Sequence, residues 1–292
     1  MDLELYRRFF AEEVATVVHL RTAALAAAFA RVPRERFVGP GPWQIMSVGE
    51  SPAGPVYWTT PDADPRRVYH DVMIALDAAR QINNGQPSAV GRWLDALDLA
   101  PGMSVLHVGC GAGYYSAIAA EAVGETGRVV AVEIDADLAA RARANLADRG
   151  NVEVVTGNGG EVASGPFDAI FVNAGATHPR PLWLDGLGPG GRLVLPLTFA
   201  ADGARFGVGY MLRVERASRS GDEVLAARFF SPVSIYPCAG ARDAELNGKL
   251  HDAYTSGTAG KVVALSRAAH EPGDACWLHG DGFCLQTGAP PH

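Results

Sequence analysis

The stretch Val105–Asp135, VLHVGCGAGYYSAIAAEAVGETGRVVAVEID, decides the fold. An apolar run, SVLHVG, meets three glycines at alternate positions, Gly109, Gly111 and Gly113. YSAIAAEAV then has the composition of a helix, and RVVAVEI is a second apolar run closing on Glu133. A strand, a tight turn and a helix in that order bring backbone without Cβ atoms to the C-terminal end of a strand, where α/β sheets hold their ligands. Downstream the alternation continues: NVEVVTG, FDAIFVNAG and GGRLVLPLT read as strands, ADLAARARANLADRG and RPLWLDGL as helices. The spacing predicts an α/β fold, a doubly wound parallel sheet of the Rossmann-like kind.

Upstream, Leu3 to Ala30 carries apolar residues at helical spacing (Leu5, Phe9, Phe10, Val14, Val17, Val18, Leu25), which predicts one or two helices. Residues 33–65 are crowded with proline, glycine and aromatics and read as an irregular segment in which Trp43 and Trp58 pack onto the core. A short strand and a polar turn follow, then a helix from about Ser88 to Leu97 with Ser88 as its N-cap. Beyond the sheet we expect a hairpin turning near Ser218 to Asp222, a helix near Ala244 to Tyr254, and strands in KVVALSRA and ACWLHGDGFCLQ. The chain accordingly divides into an N-terminal helical and irregular substrate-recognition segment (1–101), a seven-stranded cofactor-binding domain (102–240) and a C-terminal α+β appendage (241–292).

Composition narrows the function classes. With 292 residues, 48% of them hydrophobic, the chain can bury a sizeable core. A net charge of −7 and only two lysines, Lys249 and Lys261, give no basic stripe for nucleic acid. The apolar stretch near the N-terminus is broken by His19 and Arg21, against a membrane span or a secretory signal. Cys110, Cys238, Cys276 and Cys284 form no paired framework and suit a reducing cytoplasm. Cys276, His279 and Cys284, with Cys238 as a fourth ligand, lack zinc-knuckle spacing; HGDGF reads as a hairpin turn, and no metal is expected. The oligomeric state is open.

The glycines and Glu133, twenty residues beyond Gly113, describe a nucleoside pocket in which the carboxylate accepts from ribose hydroxyls. Tyr114 and Tyr115 stand where a dinucleotide fold needs a further small residue for pyrophosphate approach. S-adenosyl-L-methionine, which has no phosphate to cradle, fits better than NAD.

At these residues the chain resembles class I S-adenosylmethionine-dependent methyltransferases. VPRERFV (Val32 to Val38), GNGG (Gly157 to Gly160), GPFDAIFVNAGATHPRPLWLDGLGPGGRLVLPL (Gly165 to Leu197) and FFSPV (Phe229 to Val233) are similar to protein-L-isoaspartate O-methyltransferases. The resemblance implies an enzyme that methylates a protein or peptide carboxylate. It places the methionine end of the cofactor at Gly109, Gly111 and Gly113, the ribose at Glu133 and the adenine at Asn158 and Gly159, where the family usually has an acid before the glycine. Asn173 faces the transfer cavity and Ser234 takes the place of a small hydroxyl residue near the cofactor. The family's loop reads approximately Gly-Gln-Thr-Ile-Ser-x-Pro. Aligned on Pro87, Gly85 replaces its serine, and the polar set Asn83, Asn84, Gln86 and Ser88 is left to orient a carboxylate.

His178, after the strand carrying Asn173, is the candidate titrating residue near the acceptor; Arg180 either pairs with the acceptor or is a solvated loop charge. Tyr69, His70 and Asp71 either reach the acceptor or brace a strand edge. His107 reads as a core histidine and Cys110 as a small residue between glycines. Alternatives are a specialised methyltransferase of a ribosomal peptide product, aspartimide-forming or C-terminal, or of a small metabolite. From other classes stand an NAD-dependent oxidoreductase and a non-catalytic cofactor-binding protein.

Overall fold

The computed structural model describes residues 2–47, 56–162, 165–218 and 223–288. The N-terminal third contains α1 (Leu3–Val18), α2 (Ala23–Arg31), a 3-10 turn (Arg34–Phe37), β1 (Gln44–Ser47), β2 (Val56–Thr59), a second 3-10 turn (Pro65–Val68), β3 (Ala75–Asp77), β4 (Ile82–Asn83) and α3 (Pro87–Asp95). The alternating region follows as β5 (Ser104–Val108), α4 (Tyr114–Val123), β6 (Arg128–Glu133), α5 (Ala136–Leu146), β7 (Val152–Thr156), β8 (Phe167–Val172), α6 (Pro181–Asp185) and β9 (Leu187–Phe199). The chain then runs through β10 (Gly207–Glu215), β11 (Val224–Ile235), α7 (Ala244–Thr255), a third 3-10 turn (Ala259–Lys261), β12 (Ala264–Ser266), β13 (Cys276–Gly280) and β14 (Phe283–Gln286).

Ten strands join in one sheet in the order β13-β14-β12-β11-β10-β9-β8-β5-β6-β7. The chain divides into two compact units, Met1–Met103 with Cys110–Ala131 and Asp135–Val155, and Ser104–Gly109 with Val132–Ile134 and Thr156–His292.

In the first unit, α1 and α2 bury Phe10, Val14, Leu25 and Phe29. Asp2 caps α1 by accepting from the Glu4 N–H, and His19 ends it in the left-handed region at φ 53. Helix α2 packs on α4, which is buried along nearly its whole length. The segment read as irregular contains an antiparallel ribbon, β1 on β2, with Gln44 opposite Thr59. Trp43 is buried there as expected, whereas Trp58 is exposed, because the short strand β2 has few buried neighbours to offer it.

In the second unit β8 lies parallel between β5 and β9, and its nearly unbroken burial is what a strand covered on both faces requires. From β9 onward pairing is antiparallel, through β10, β11, β12, β14 and β13. The three C-terminal strands therefore extend the sheet, and α7 packs on β9 and β13. The β10–β11 hairpin is present; most of its turn, residues 219–222, lies outside the described residues. Among the described residues no helix is long and apolar enough to cross a membrane.

Candidate active site

The glycine turn starts where β5 ends. The Gly109 N–H donates to the Val132 carbonyl at 2.8 Å, and the Asn173 N–H donates to the Val108 carbonyl at 2.8 Å. A Cβ on Gly109 would stand 3.2 Å from the Asn173 carbonyl oxygen, so these two expected site residues do meet. Four residues on, Gly113 caps the start of α4 at φ +94, and a Cβ there would sit 2.8 Å from Leu146 Cδ1. A left-handed backbone and an occupied Cβ position both demand glycine.

Glu133 ends β6 with 8% of its surface exposed, and its carbonyl accepts from the Gly157 N–H at 2.9 Å. The following turn is built by Asn158, whose Oδ1 accepts from the Gly160 N–H at 3.0 Å while Nδ2 donates to Glu161 at 2.9 Å. One Oδ1 lone pair and one Nδ2 hydrogen thus serve its own loop, leaving one of each. Trp183, fully buried, donates from Nε1 to the Gly159 carbonyl at 2.8 Å and fixes the turn from below.

The divergent loop belongs to the first unit, as do Gly111 and Gly113. A Cβ on Gly111 would lie 3.5 Å from Leu76 Cδ1, and Tyr115, in the first turn of α4, donates to the Gly85 carbonyl at 3.2 Å. The loop is therefore docked on the glycine turn. Asn83 Oδ1 accepts from the Gly85 N–H at 2.9 Å, and Asn84 Oδ1 accepts from the Ile74 N–H at 2.8 Å. Asn84 Nδ2 is buried with no hydrogen-bond partner.

Ser88 is not the N-cap expected of it. Gln86 takes that position, Pro87 follows, and α3 receives its capping carboxylate from Asp71. The Ser88 N–H and Oγ–H donate to Asp71 at 2.7 and 2.6 Å, and Gln86 Nε2 donates to it at 2.8 Å. The donors expected to orient an acceptor carboxylate hold one from the chain itself.

Asp71 is in turn placed by Arg34 of VPRERFV, a residue whose role the sequence did not disclose. Its guanidinium is fully buried and donates to the carbonyls of Val68, His70 and Val72 at 2.7, 2.7 and 2.6 Å. The Phe10 and Tyr114 rings lie 5.3 and 5.9 Å from Arg34 Cζ. Burial lowers the Arg34 pKa, and the three carbonyls compensate the charge. Tyr69 hydrogen-bonds Glu35 and Arg7; burial, with the Glu35 contact, pushes its hydroxyl up to about 12.

In the second unit His178 Nδ1 lies 3.0 Å from Thr177 Oγ1, and the ring stacks on Phe283 at 6.2 Å. Burial, then the Arg180 charge, lowers its pKa, so it is neutral at pH 7. Arg180 Nε is buried with no partner. Ser234 is exposed on β11, opposite Val208, and lines a cleft with Phe199, Tyr210 and Tyr254. His107 stacks on Phe171 at 5.0 Å, and burial holds it at about 3, a neutral core histidine. Cys110 is buried within the glycine turn.

The fold is shared with a crystal structure from Plasmodium falciparum, assigned as a protein-L-isoaspartate O-methyltransferase and holding S-adenosyl-L-homocysteine. The TM-score is 0.58 at 17% identity, over 80% of this chain and 97% of that one. The Gly109 turn, where a Cβ would press on the Asn173 carbonyl, and the shielded Glu133 carboxylate at the end of the next strand fit S-adenosylmethionine. These features define a class I S-adenosylmethionine-dependent methyltransferase.

The profile of the protein-L-isoaspartate(D-aspartate) O-methyltransferase family matches residues 59–227. Protein-L-isoaspartate O-methyltransferase of Methylorubrum populi is 35% identical over 222 residues, covering 75% of this chain and 87% of its own length. Protein-L-isoaspartate O-methyltransferase 2 of Archaeoglobus fulgidus is 38% identical over 148 residues, 49% of this chain and 66% of its own length, just under two thirds. The chain belongs to the protein-L-isoaspartate O-methyltransferase family.

Proposed function

We propose that the chain methylates a side-chain carboxylate of a protein or peptide, and that the Asn83–Ser88 loop directs it to a specialised acceptor in place of the isoaspartyl backbone. One observation carries the reading: the loop that departs from the family pattern is held at the start of α4 by the Tyr115 hydrogen bond to the Gly85 carbonyl, while Leu76 of β3, the strand paired with β4, packs beside Gly111. Gly85 adopts φ +76, and a Cβ there would lie 3.1 Å from Val90 Cγ2, so the serine of the family loop is strained on this backbone.

S-adenosylmethionine supplies an electrophilic methyl group and leaves as S-adenosylhomocysteine. Gly109, Gly111 and Gly113 would admit its methionine end, Glu133 its ribose, and the 158–160 turn its adenine. The acceptor carboxylate is already ionised at pH 7 and needs no base. What the protein supplies is in-line orientation, to which positioning contributes roughly 7–11 kcal/mol. Asn84 Nδ2, buried and without a partner, is a donor in this loop left for an acceptor oxygen. The N-terminal segment acts in substrate recognition, and four free cysteines suit a cytoplasmic protein that meets neither membrane nor nucleic acid.

The test is turnover of an isoaspartyl peptide and its aspartyl counterpart, following S-adenosylhomocysteine and methanol, beside calorimetric cofactor binding. Cofactor binding with slow turnover of the isoaspartyl peptide is expected. Rapid, selective turnover of that peptide overturns the specialised acceptor and leaves the family's repair reaction.

A further inference from the structure

The C-terminal strands bring together four side chains that the methyl transfer does not use. His270, Cys276, His279 and Cys284 each offer a ligand atom, and all four atoms lie within 4.8 Å of one another. Around zinc, with bonds of about 2.0–2.1 Å to nitrogen and 2.3 Å to sulfur, a tetrahedron has edges of about 3.3–3.8 Å. His270 Nε2 and Cys276 Sγ already stand 3.3 Å apart. We propose that these four residues form a closed structural zinc site that staples the C-terminal hairpin to the loop preceding it.

Three features of the backbone and hydrogen bonding prepare this cluster. The His270 Nδ1 lies 2.9 Å from the Ala268 carbonyl, which can only accept. Nδ1 therefore carries the proton, and Nε2 turns its lone pair toward Cys276, the second-sphere arrangement that orients zinc-bound imidazoles. His279 and Cys284 are direct cross-strand partners in the β13–β14 hairpin, so their side chains leave the same face. Cys276 and His279, three apart, would point to opposite faces of a regular strand, but the register shifts between Cys276 and Leu278. That bulge turns Cys276 back onto the His279 face.

The donor chemistry selects the ion. Two thiols and two imidazoles in one compact set suit a borderline-soft tetrahedral cation, with no oxygen ligand to favour magnesium or calcium. His279 Nδ1 is buried with no hydrogen-bond partner, a cost that coordination of this ring within the cluster removes or offsets. All four cysteines are free, so no disulfide competes for Cys276 and Cys284. Four protein ligands leave no open position for a reacting water, which makes the role structural. Its reach extends to the candidate acceptor side, because Phe283, next to Cys284, stacks on His178.

The full-length protein, purified under reducing conditions without chelators, should contain about one zinc per chain by inductively coupled plasma mass spectrometry. His270→Ala and Cys284→Ser should lose it, while Cys238→Ser, outside the cluster, should keep it. Should the variants fail to fold, cobalt exchange into the unmodified protein decides: tetrahedral d–d bands and thiolate-to-cobalt charge transfer are expected. Folded protein that takes up neither metal after incubation and dialysis overturns the proposal. So does a Cys276–Cys284 disulfide found by peptide mapping of the reduced preparation.

Discussion

Replacing Arg34 with alanine removes a buried cation from three carbonyls at once. Each charge-assisted hydrogen bond is worth roughly 1.5–3 kcal/mol, so three separate bonds would sum to about 5–9 kcal/mol. The carbonyls of Val68, His70 and Val72 sit on alternate residues of one loop, however, and water entering the vacated space re-pairs some of them. About 3–5 kcal/mol is the expected loss, the range found when one side of a buried ionic arrangement is deleted. For 292 residues at roughly 2.1 cal/mol/K of unfolding entropy each, Tm falls by about 5–8 °C. Arg34→Lys keeps the charge but concentrates its donors at one point, and should recover part of the loss. Differential scanning calorimetry checks the stability, and acceptor KM, expected to rise more than cofactor Kd, checks the placement of Asp71. An Arg34→Ala protein melting within a degree of the unmodified one refutes the reasoning.

Gly113→Ala combines a left-handed backbone penalty of about 1–2 kcal/mol with overpacking against Leu146 of about 1–3 kcal/mol. A lower Tm and at least a tenfold weaker calorimetric Kd for S-adenosylmethionine are expected. Asp71→Asn leaves one acceptor oxygen for three donors and should cost about 1–2 kcal/mol. A double-mutant cycle with Ser88→Ala should show a coupling of about 0.5–3 kcal/mol, and strict additivity would mean that the pair is not interacting. His178→Ala should keep kcat/KM within about tenfold, because carboxyl transfer needs no base; a loss of about a hundredfold or more would make His178 a proton carrier and the acceptor a hydroxyl or amine. Burial lowers the His178 pKa below its ordinary 6.5, so the unfolded chain binds the proton first as pH falls. Its contribution to stability is therefore complete above about pH 6.5 and is lost as pH drops below that, a direction that urea midpoints across pH 5–8, compared between the native and His178→Ala proteins, will test.

The parallel strands and their helices were legible because each is announced by a local pattern: SVLHVG, RVVAVEI and FDAIFV are apolar runs of strand length between turn residues. Gly113 was legible for the same reason, since the turn it makes is encoded within five residues. What stayed hidden depends on partners distant in sequence. Ser88 has the composition and position of an N-cap, yet its partner is Asp71, seventeen residues upstream. Arg34 looks like one charge among the three of PRER, and only the fold reveals that it is enclosed by the 68–72 loop. The β1–β2 ribbon was obscured by the prolines and glycines around it, because short strands offer too few alternations to outweigh breakers. The gathering of His270, Cys276, His279 and Cys284 escaped a spacing argument for a geometric reason: a bulge changes which side chains share a face, and His270 comes from outside the strands.

The distribution of polar groups in the first unit accords with a reaction that has little use for proton transfer. From Arg34 through the carbonyls of the 68–72 loop, to Asp71, Gln86 and Ser88, and then from Gly85 to Tyr115, every link is a hydrogen bond that fixes a position. An enzyme that had to deprotonate its acceptor would need a group poised near neutrality in this chain. The Tyr115 hydroxyl, at the end of this chain, is pushed away from neutrality: burial raises its pKa, so it stays protonated and donates to Gly85. Such a framework suits an ionised nucleophile that needs holding in line, and it agrees with the proposed role of the loop at Gly85, whose left-handed backbone would strain the family's serine.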